Sequence, residues 1–299
     1  MRSLTFPFRR FEIKRARTPL TLVLGATGKT GRRVVQSLWE AGHPVRMGSR
    51  QAEPAFDWDR PITWDACLEG VTQVYVNYSP DLAMPKARAA ITAFTDLAFR
   101  KGVRKLVLLS GRGKEEALTC EQIVRNSGMD WTVVRSAWFH QNFSEGEFTG
   151  MVKAREIALP TRGICEPFVD VHDIADVITA ALTEPGHEGM IYETSGPRLM
   201  SFENIAEELS NALGRTISFT EIPHEVFISG LEGVGMPGEM ISLLDYLFFT
   251  IMDGRNAHLS YGVQEALGRP PRDFRDYAQL TALTGVWDTV QNLQLITAG

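Results

Sequence analysis

Three glycines, Gly25, Gly28 and Gly31, stand three residues apart between an apolar run, Leu20-Thr21-Leu22-Val23-Leu24, and a helical pattern that begins near Lys29. Glycine at these places suits phosphate chemistry. Gly25 permits a sharp turn at a strand end, Gly28 leaves room for a pyrophosphate to approach the backbone, and Gly31 lets a helix lie close on a sheet. First-turn N–H groups and the helix dipole then favour the phosphate charge. Thr27, Lys29 and Thr30 fill the same turn and are expected cofactor contacts. The spacing is GxxGxxG rather than GxGxxG, so a purely structural turn is the alternative.

About twenty residues further on, an NAD-specific site places an acid that grips the ribose hydroxyls. Here Pro44-Val45-Arg46-Met47-Gly48 leads to Ser49 and Arg50, and the next acid is Glu53. A guanidinium fork matches phosphate oxygens, so Arg50 points to a 2′-phosphate and to NADP(H), its alternative being a solvated surface arginine. No metal-ligand pattern accompanies these groups. Cys67, Cys120 and Cys165 are far apart, form no CxxC pair, and read as buried thiols of a reducing, cytoplasmic setting.

The elements that must hold these residues follow from periodicity. Helices are expected at 29–41, 63–68, 84–101 and 115–127, and strands at 20–24, 44–50, 74–78, 105–111 and 131–135. A brief strand is also expected at Phe56-Asp57-Trp58-Asp59. Continuous apolar strands alternating with helices imply a parallel sheet covered on both faces. Past Ser136 the alternation loosens. A helix should run from near Asp173 to 182, a strand over 190–194, a helix over 202–213 and a short strand over 217–221. The remainder to about 284 reads as helical, nearly apolar over 238–254. The fold class is therefore α/β, a doubly wound Rossmann sheet. Residues 20–150 form its nucleotide-binding core. Residues 151–299 supply the remaining core elements and a smaller, mostly helical lobe across the carboxyl ends of the strands, where such sheets bind ligands.

The 299 residues are 44% hydrophobic and 22% charged, an ordinary globular composition. Net charge is −5, unevenly spread: residues 1–19 hold six basic groups and one acid, leaving the body near −10. Such a body argues against a nucleic-acid partner, and the polar basic arm is expected to be disordered. No segment has the length and apolarity of a membrane span. The expected partner is a small-molecule substrate, and the chain a monomer or homodimer.

Gly25-Ala26-Thr27-Gly28-Lys29-Thr30-Gly31, Leu108-Leu109-Ser110, Ser127-Gly128-Met129-Asp130-Trp131-Thr132-Val133-Val134-Arg135 and Trp138-Phe139-His140-Gln141-Asn142-Phe143 together resemble the NmrA-like atypical short-chain dehydrogenases. So do Phe168-Val169-Asp170-Val171-His172-Asp173-Ile174-Ala175 and the tail Leu267-Gly268-Arg269-Pro270-Pro271-Arg272-Asp273-Phe274. Phe56-Asp57-Trp58-Asp59 with Thr63-Trp64 is similar to the subgroup that contains the ergot-alkaloid reductases, which reduce iminium intermediates with NADPH. The resemblance implies an NADP-type cofactor along the top of the sheet, with its nicotinamide near Ser110 and the loop after Arg135. Asn77, Ser110 and Arg135 join the expected cofactor contacts on that basis.

Tyrosine-dependent members of the wider superfamily use Tyr-x-x-x-Lys, in which lysine eases proton exchange by the phenol. None of Tyr75, Tyr78, Tyr192, Tyr246, Tyr261 and Tyr277 has lysine four residues later. An iminium ion or a quinone needs less acid catalysis than a ketone, so the protein must mainly hold hydride donor and acceptor in contact. Ser110 and His140 are the candidate catalytic helpers, and Tyr78, Trp138 and Phe143 the candidate aromatic walls. For His140, Trp138 and Phe143 plain packing is the alternative, and Asp170 and Asp173 read as structural helix-entry carboxylates. The first functional reading is an NADPH-dependent reductase of an imine, iminium or quinone. The second is an NADP(H)-sensing regulator without turnover.

The protein should bind NADPH at least about tenfold more tightly than NADH, since one good charged contact is worth about 1.4 kcal/mol. Arg50→Ala should remove most of that preference and leave NADH binding nearly unchanged in fluorescence titrations. Equal affinities in the unmutated protein would rule the Arg50 assignment out.

Overall fold

The computed structural model describes residues 18–288, so all but the last two residues of the 1–19 arm lie outside the described residues. The first half alternates strictly: β1 (Thr21–Leu24), α1 (Lys29–Glu40), β2 (Val45–Gly48), α2 (Trp64–Leu68), β3 (Gln73–Val76), α3 (Ala87–Arg100), β4 (Lys105–Gly111), α4 (Glu115–Arg125) and β5 (Asp130–Ser136). The second half follows with α5 (Asn142–Glu145), α6 (Thr149–Ala154), β6 (Glu156–Leu159), α7 (Val171–Thr183), β7 (Met190–Thr194), α8 (Phe202–Leu213) and β8 (Ser218–Glu221). Then come α9 (His224–Gly233), α10 (Gly238–Asp245), a π-helical stretch (Tyr246–Ile251), α11 (Gly262–Leu267) and α12 (Phe274–Ala282).

Six strands form one parallel sheet in the order β2-β1-β3-β4-β5-β7. Alternate strand residues face opposite sides, so each apolar run serves two cores. Val23, Tyr75, Val107 and Val134 pack with Val34 and Leu38 of α1 and Ile174 and Ile178 of α7. Leu22, Leu24, Val74, Val76, Leu106 and Leu108 pack on the other side with Trp64, Ile91, Phe94 and Cys120. The chain leaves β1 for β2 on one side and returns to β3 on the other. That reversal opens a crevice at the carboxyl ends of β1 and β3.

Two elements differ from the sequence expectation. Residues 56–59, expected as a brief strand with its turn, form no strand: 56 and 57 are irregular and only 58 and 59 turn. The Trp58 indole N–H donates to the Asn77 carbonyl (3.0 Å) and the Trp64 indole to the Asp57 carbonyl (2.8 Å), while Phe56, Trp58, Trp64 and Phe94 pack edge to face. Ring packing decides this segment where a period-two reading expected a ladder. Conversely β6, which no local pattern marked, pairs in parallel with β8 in a separate two-stranded sheet. Its partner lies some sixty residues away, and four residues are too few to display a period.

A carboxylate pair joins the sheet to the C-terminal tail. Asp170 N-caps α7 by accepting the His172 N–H at 2.7 Å. Burial would raise its carboxyl, but the histidines beside it, His172 and His140, hold it well below the usual range. Asp173, fully buried, accepts from the Arg269 guanidinium (2.8 Å), the Arg272 backbone N–H (2.7 Å) and the Arg272 guanidinium. The two stretches that carried much of the family resemblance are thus clamped to one another.

Asp173→Ala should destabilise the fold by about 2 kcal/mol, because several charge-assisted hydrogen bonds are lost while the two arginines can rehydrate. Arg272→Ala, at a half-exposed partner, should cost under about 1 kcal/mol. Urea unfolding midpoints at unchanged slope would measure both; equal and negligible shifts would show that the clamp contributes little.

Candidate active site

The turn after β1 is built for close approach. Gly25 has a left-handed backbone (φ +65°), and a Cβ at Gly31 would lie 2.1 Å from the Gly25 carbonyl oxygen. α1 opens at Gly28 with no side chain capping its first N–H groups. A Cβ at Gly28 would meet the Gly25 carbonyl at 3.2 Å and nothing else within 4 Å. Open space against uncapped helix N–H groups is what a pyrophosphate requires, so these residues fit a dinucleotide. At the exit of β2, Arg50 is exposed and joins no ion pair among the described residues, free to meet a phosphate. Ser49 is partly buried there, its carbonyl accepting from Ala52 (3.2 Å) and Phe56 (2.9 Å).

A cavity of about 270 Å³ extends along the carboxyl ends of β3, β4 and β5. Its floor includes Asn77, Tyr78, Ser110 and Trp138, and its roof Leu243, Leu244 and Leu247 of α10 and the π-helical stretch. Trp58 backs this floor, 5.1 Å from the Tyr78 ring and hydrogen-bonded to Asn77. Trp138 stacks on Phe148 (6.2 Å) and tilts against Phe248 (5.3 Å), which fixes its plane. Lys29 enters from α1, held by the Asn142 amide oxygen at 2.8 Å. The Ser110 hydroxyl donates to Glu121 at 2.7 Å.

Four expected site residues lie elsewhere. His140 is buried outside the cavity lining, its Nε2 3.1 Å from the Phe168 carbonyl and its ring packed on Phe274 and Tyr277. It is a packing histidine. Phe143 is fully enclosed among Phe148, Phe168, Phe202 and Phe274 and cannot wall a substrate. Arg135 gives its guanidinium to Glu121 (2.6 Å) and Glu193 (3.1 Å), so it ties β5 to α4 and β7 and has no fork left for cofactor. The Thr30 hydroxyl pairs with the Tyr75 hydroxyl at 2.7 Å inside the core, so only its backbone can face a phosphate. Thr27 is exposed on the turn.

The sequence reading missed five charged groups of the cavity, Asp81, Lys114, Glu147, Arg112 and Glu166, of which Asp81 and Lys114 pair with each other at 2.6 Å. Arg112 follows β4 directly, and Glu166 sits in a connection bridged to Met200. Burial, with Asp253 nearby, pushes the Glu166 carboxyl up to about 7 although Arg112 opposes the shift. Neither belongs to a motif, and only their convergence on one cavity marks them. Among the described residues no cluster of histidine, cysteine and acid could hold a metal, and no helix is long and apolar enough to cross a membrane.

Known proteins agree with this geometry. A model of NAD(P)H-binding proteins matches residues 25–185, and the NmrA-like family model matches residues 115–277. The chain is 30% identical to agroclavine dehydrogenase of Claviceps fusiformis, covering 86% of this chain and 95% of that protein. It is 31% identical to an NAD(P)H azoreductase of Xenophilus azovorans, covering 88% and 98%. Its fold matches an NADPH-dependent quinone oxidoreductase from Escherichia coli, solved with NADPH, at a TM-score of 0.72 and 17% identity over 87% of this chain and 99% of that one. With its nucleotide-binding turn and parallel sheet, the chain belongs to the NmrA-like family of NAD(P)H-binding proteins.

Proposed function

We propose that this chain transfers hydride from NADPH to a small, flat, electron-poor acceptor, an imine, iminium or quinone, and that it does so mainly by positioning. That it is an NAD(P)H-dependent reductase rests on its family; the acceptor class and the residue roles are the new part. When bound, the dinucleotide supplies the hydride. Gly25, Gly28, Gly31 and the backbone of Thr27 and Thr30 would cradle its pyrophosphate, with Lys29 beside them and Ser49 and Arg50 at the 2′-phosphate. Asn77 and Ser110 would orient its reactive end.

The single observation that carries the acceptor reading is the cavity. Its size, about 270 Å³, is near the lower end for ligand sites, and its walls are aromatic below and aliphatic above. Such walls favour a one- or two-ring planar molecule. Tyr78 and Trp138, both held by neighbouring rings, keep the acceptor in one plane, while Leu243, Leu244 and Leu247 exclude water from it. A regulator that only reads the cofactor has no use for such a chamber. Agroclavine dehydrogenase and the azoreductase, by their names, act on agroclavine and on azo compounds.

A screen of NADPH oxidation with imines, iminium salts and quinones tests this reading, and no turnover across the panel would favour the sensor. Ser110→Ala should slow single-turnover reduction by tenfold or less, because the hydroxyl is already engaged by Glu121. Trp138→Ala should cost more than that with cofactor affinity unchanged, through loss of the wall that orients the acceptor. A reversed order of the two would overturn catalysis by positioning at Trp138.

A further inference from the structure

Glu166 is 1% exposed, lines the cavity, and its Oε1 has no hydrogen-bond partner among the described residues. Its backbone is tied to Met200 by reciprocal hydrogen bonds of 3.0 and 2.9 Å, which fix where the carboxyl starts. Arg112 lines the same cavity, and its Nη1 is likewise without a partner. The rest of that guanidinium is held from behind. Nη2 lies 2.7 Å from His258 Nε2 and donates to the His258 carbonyl at 3.1 Å, and Nε stands 3.8 Å from Glu193. Arg112 and Glu166 form no ion pair within 4.0 Å. A buried guanidinium and a buried carboxyl that border one space without touching leave a gap for a ligand group, since the polar atoms left bare otherwise bear an uncompensated desolvation cost.

We infer that Glu166 is the proton donor of the reaction, delivering its carboxyl proton to the oxygen or nitrogen that turns basic as a neutral acceptor, a quinone or an azo compound, receives hydride. This deepens the reductase reading above and rests on it: positioning suffices for an iminium, and for a neutral acceptor Glu166 adds the proton that positioning alone does not supply. The acceptor gains a hydride from the reduced dinucleotide and a proton from Glu166, and its π bond gives way to new bonds to hydrogen. The product is a hydroquinone or a hydrazo compound, and Glu166 recovers its proton from water as that product leaves. Arg112 faces the carboxylate left behind and stabilises it.

The charge surroundings suit the role. Facing Glu166 are Arg112, backed by His258 and Glu193, and Asp253, which pairs with Arg255 at 2.7 Å. Lys114, across the cavity, is matched by Asp81 at 2.6 Å. A carboxyl raised to about 7 is protonated below that pH and ionised above it, so the donor is present at lower pH and lost as pH rises through about 7. An acid poised near the operating pH is what efficient proton transfer demands.

The test uses two probes, para-benzoquinone and a preformed N-alkyl iminium salt, which becomes a neutral amine on hydride gain and needs no proton. In single-turnover oxidation of NADPH, E166Q should slow quinone reduction by at least about a hundredfold, the low end for general acid catalysis, and iminium reduction by less than tenfold. The wild-type rate with quinone should fall as pH rises through neutrality, and that fall should vanish in E166Q. E166D, which keeps an acid, should retain part of the quinone activity if the variant's loss is chemical rather than structural. Independently of turnover, the infrared carboxyl band lost in E166Q should titrate near neutral pH in the protein alone. Equal losses on both probes, a quinone loss within tenfold, or a Glu166 already ionised in mildly acidic buffer would each overturn the assignment and leave the reductase reading standing. If the wild type reduces neither probe, the reductase reading falls and this one with it.

Discussion

The contact between α1 and the end of β1 is the constraint on which the rest of the structure depends. Gly31 lies so close over the Gly25 carbonyl that no side chain fits between them. That approach sets α1 against the sheet, where Val34 and Leu38 meet Val23 and Tyr75. It also aims the uncapped first turn of the helix at the crevice between β1 and β3. A bulkier residue at Gly31 would have to lift the helix, weakening the core and retracting the phosphate-facing N–H groups together. Packing and cofactor recognition are here one geometric requirement.

Beyond that turn, the cavity is divided by the origin of its walls. Its floor comes from strand ends, whose backbone directions are locked by the ladder, and it carries Asn77, Tyr78 and Ser110. Its roof comes from α10 and the π-helical stretch, which offer aliphatic side chains and lie apart from the main sheet. π-helical turns recur at functional sites because the widened turn shifts side chains out of α-helical register. A floor of polar and aromatic side chains fixed by the ladder, under an apolar roof, is what the proposed positioning of a flat acceptor requires.

The ionic pairs do different work according to burial. Asp173 and Asp170 satisfy arginines, histidine and backbone at the start of α7, outside the cavity lining, and act in stability. Glu121 of α4 ties β5 to β4 by accepting from Arg135 and from the Ser110 hydroxyl on the cavity floor. Arg112 and Glu166 stand apart from both groups, because each keeps one polar atom unpartnered at the cavity wall. Five other buried side-chain atoms among the described residues, His140 Nδ1 included, also lack a partner, but none of them lines the cavity; it is two such atoms converging on one space that marks Arg112 and Glu166.

Local physics made much of the fold legible. Apolar runs of four to seven residues, broken by glycines and helical periods, located β1, β3, β4, β5 and β7, and the glycine turn announced a nucleotide site before any tertiary contact was known. Asp170 also read correctly as a structural cap, since a helix-entry carboxylate meets its backbone partner within a turn; Asp173 is structural too, but through Arg269 and Arg272, which lie far along the chain. Residue type alone misled where function depends on direction: His140, Phe143 and Arg135 carry suitable chemistry, but their side chains point into the core or into ion pairs. Periodicity failed at residues 56–59 and at β6, where partners distant in sequence decide between turn and strand. Glu166 and Arg112 had no signal at all, because burial and the lack of a partner are properties of assembled space, not of spacing. The sequence by itself determined the sheet, its cofactor turn and its family; only the tertiary structure decided which side chains share a cavity, since that depends on contacts between segments as far apart as β4 and the π-helical stretch.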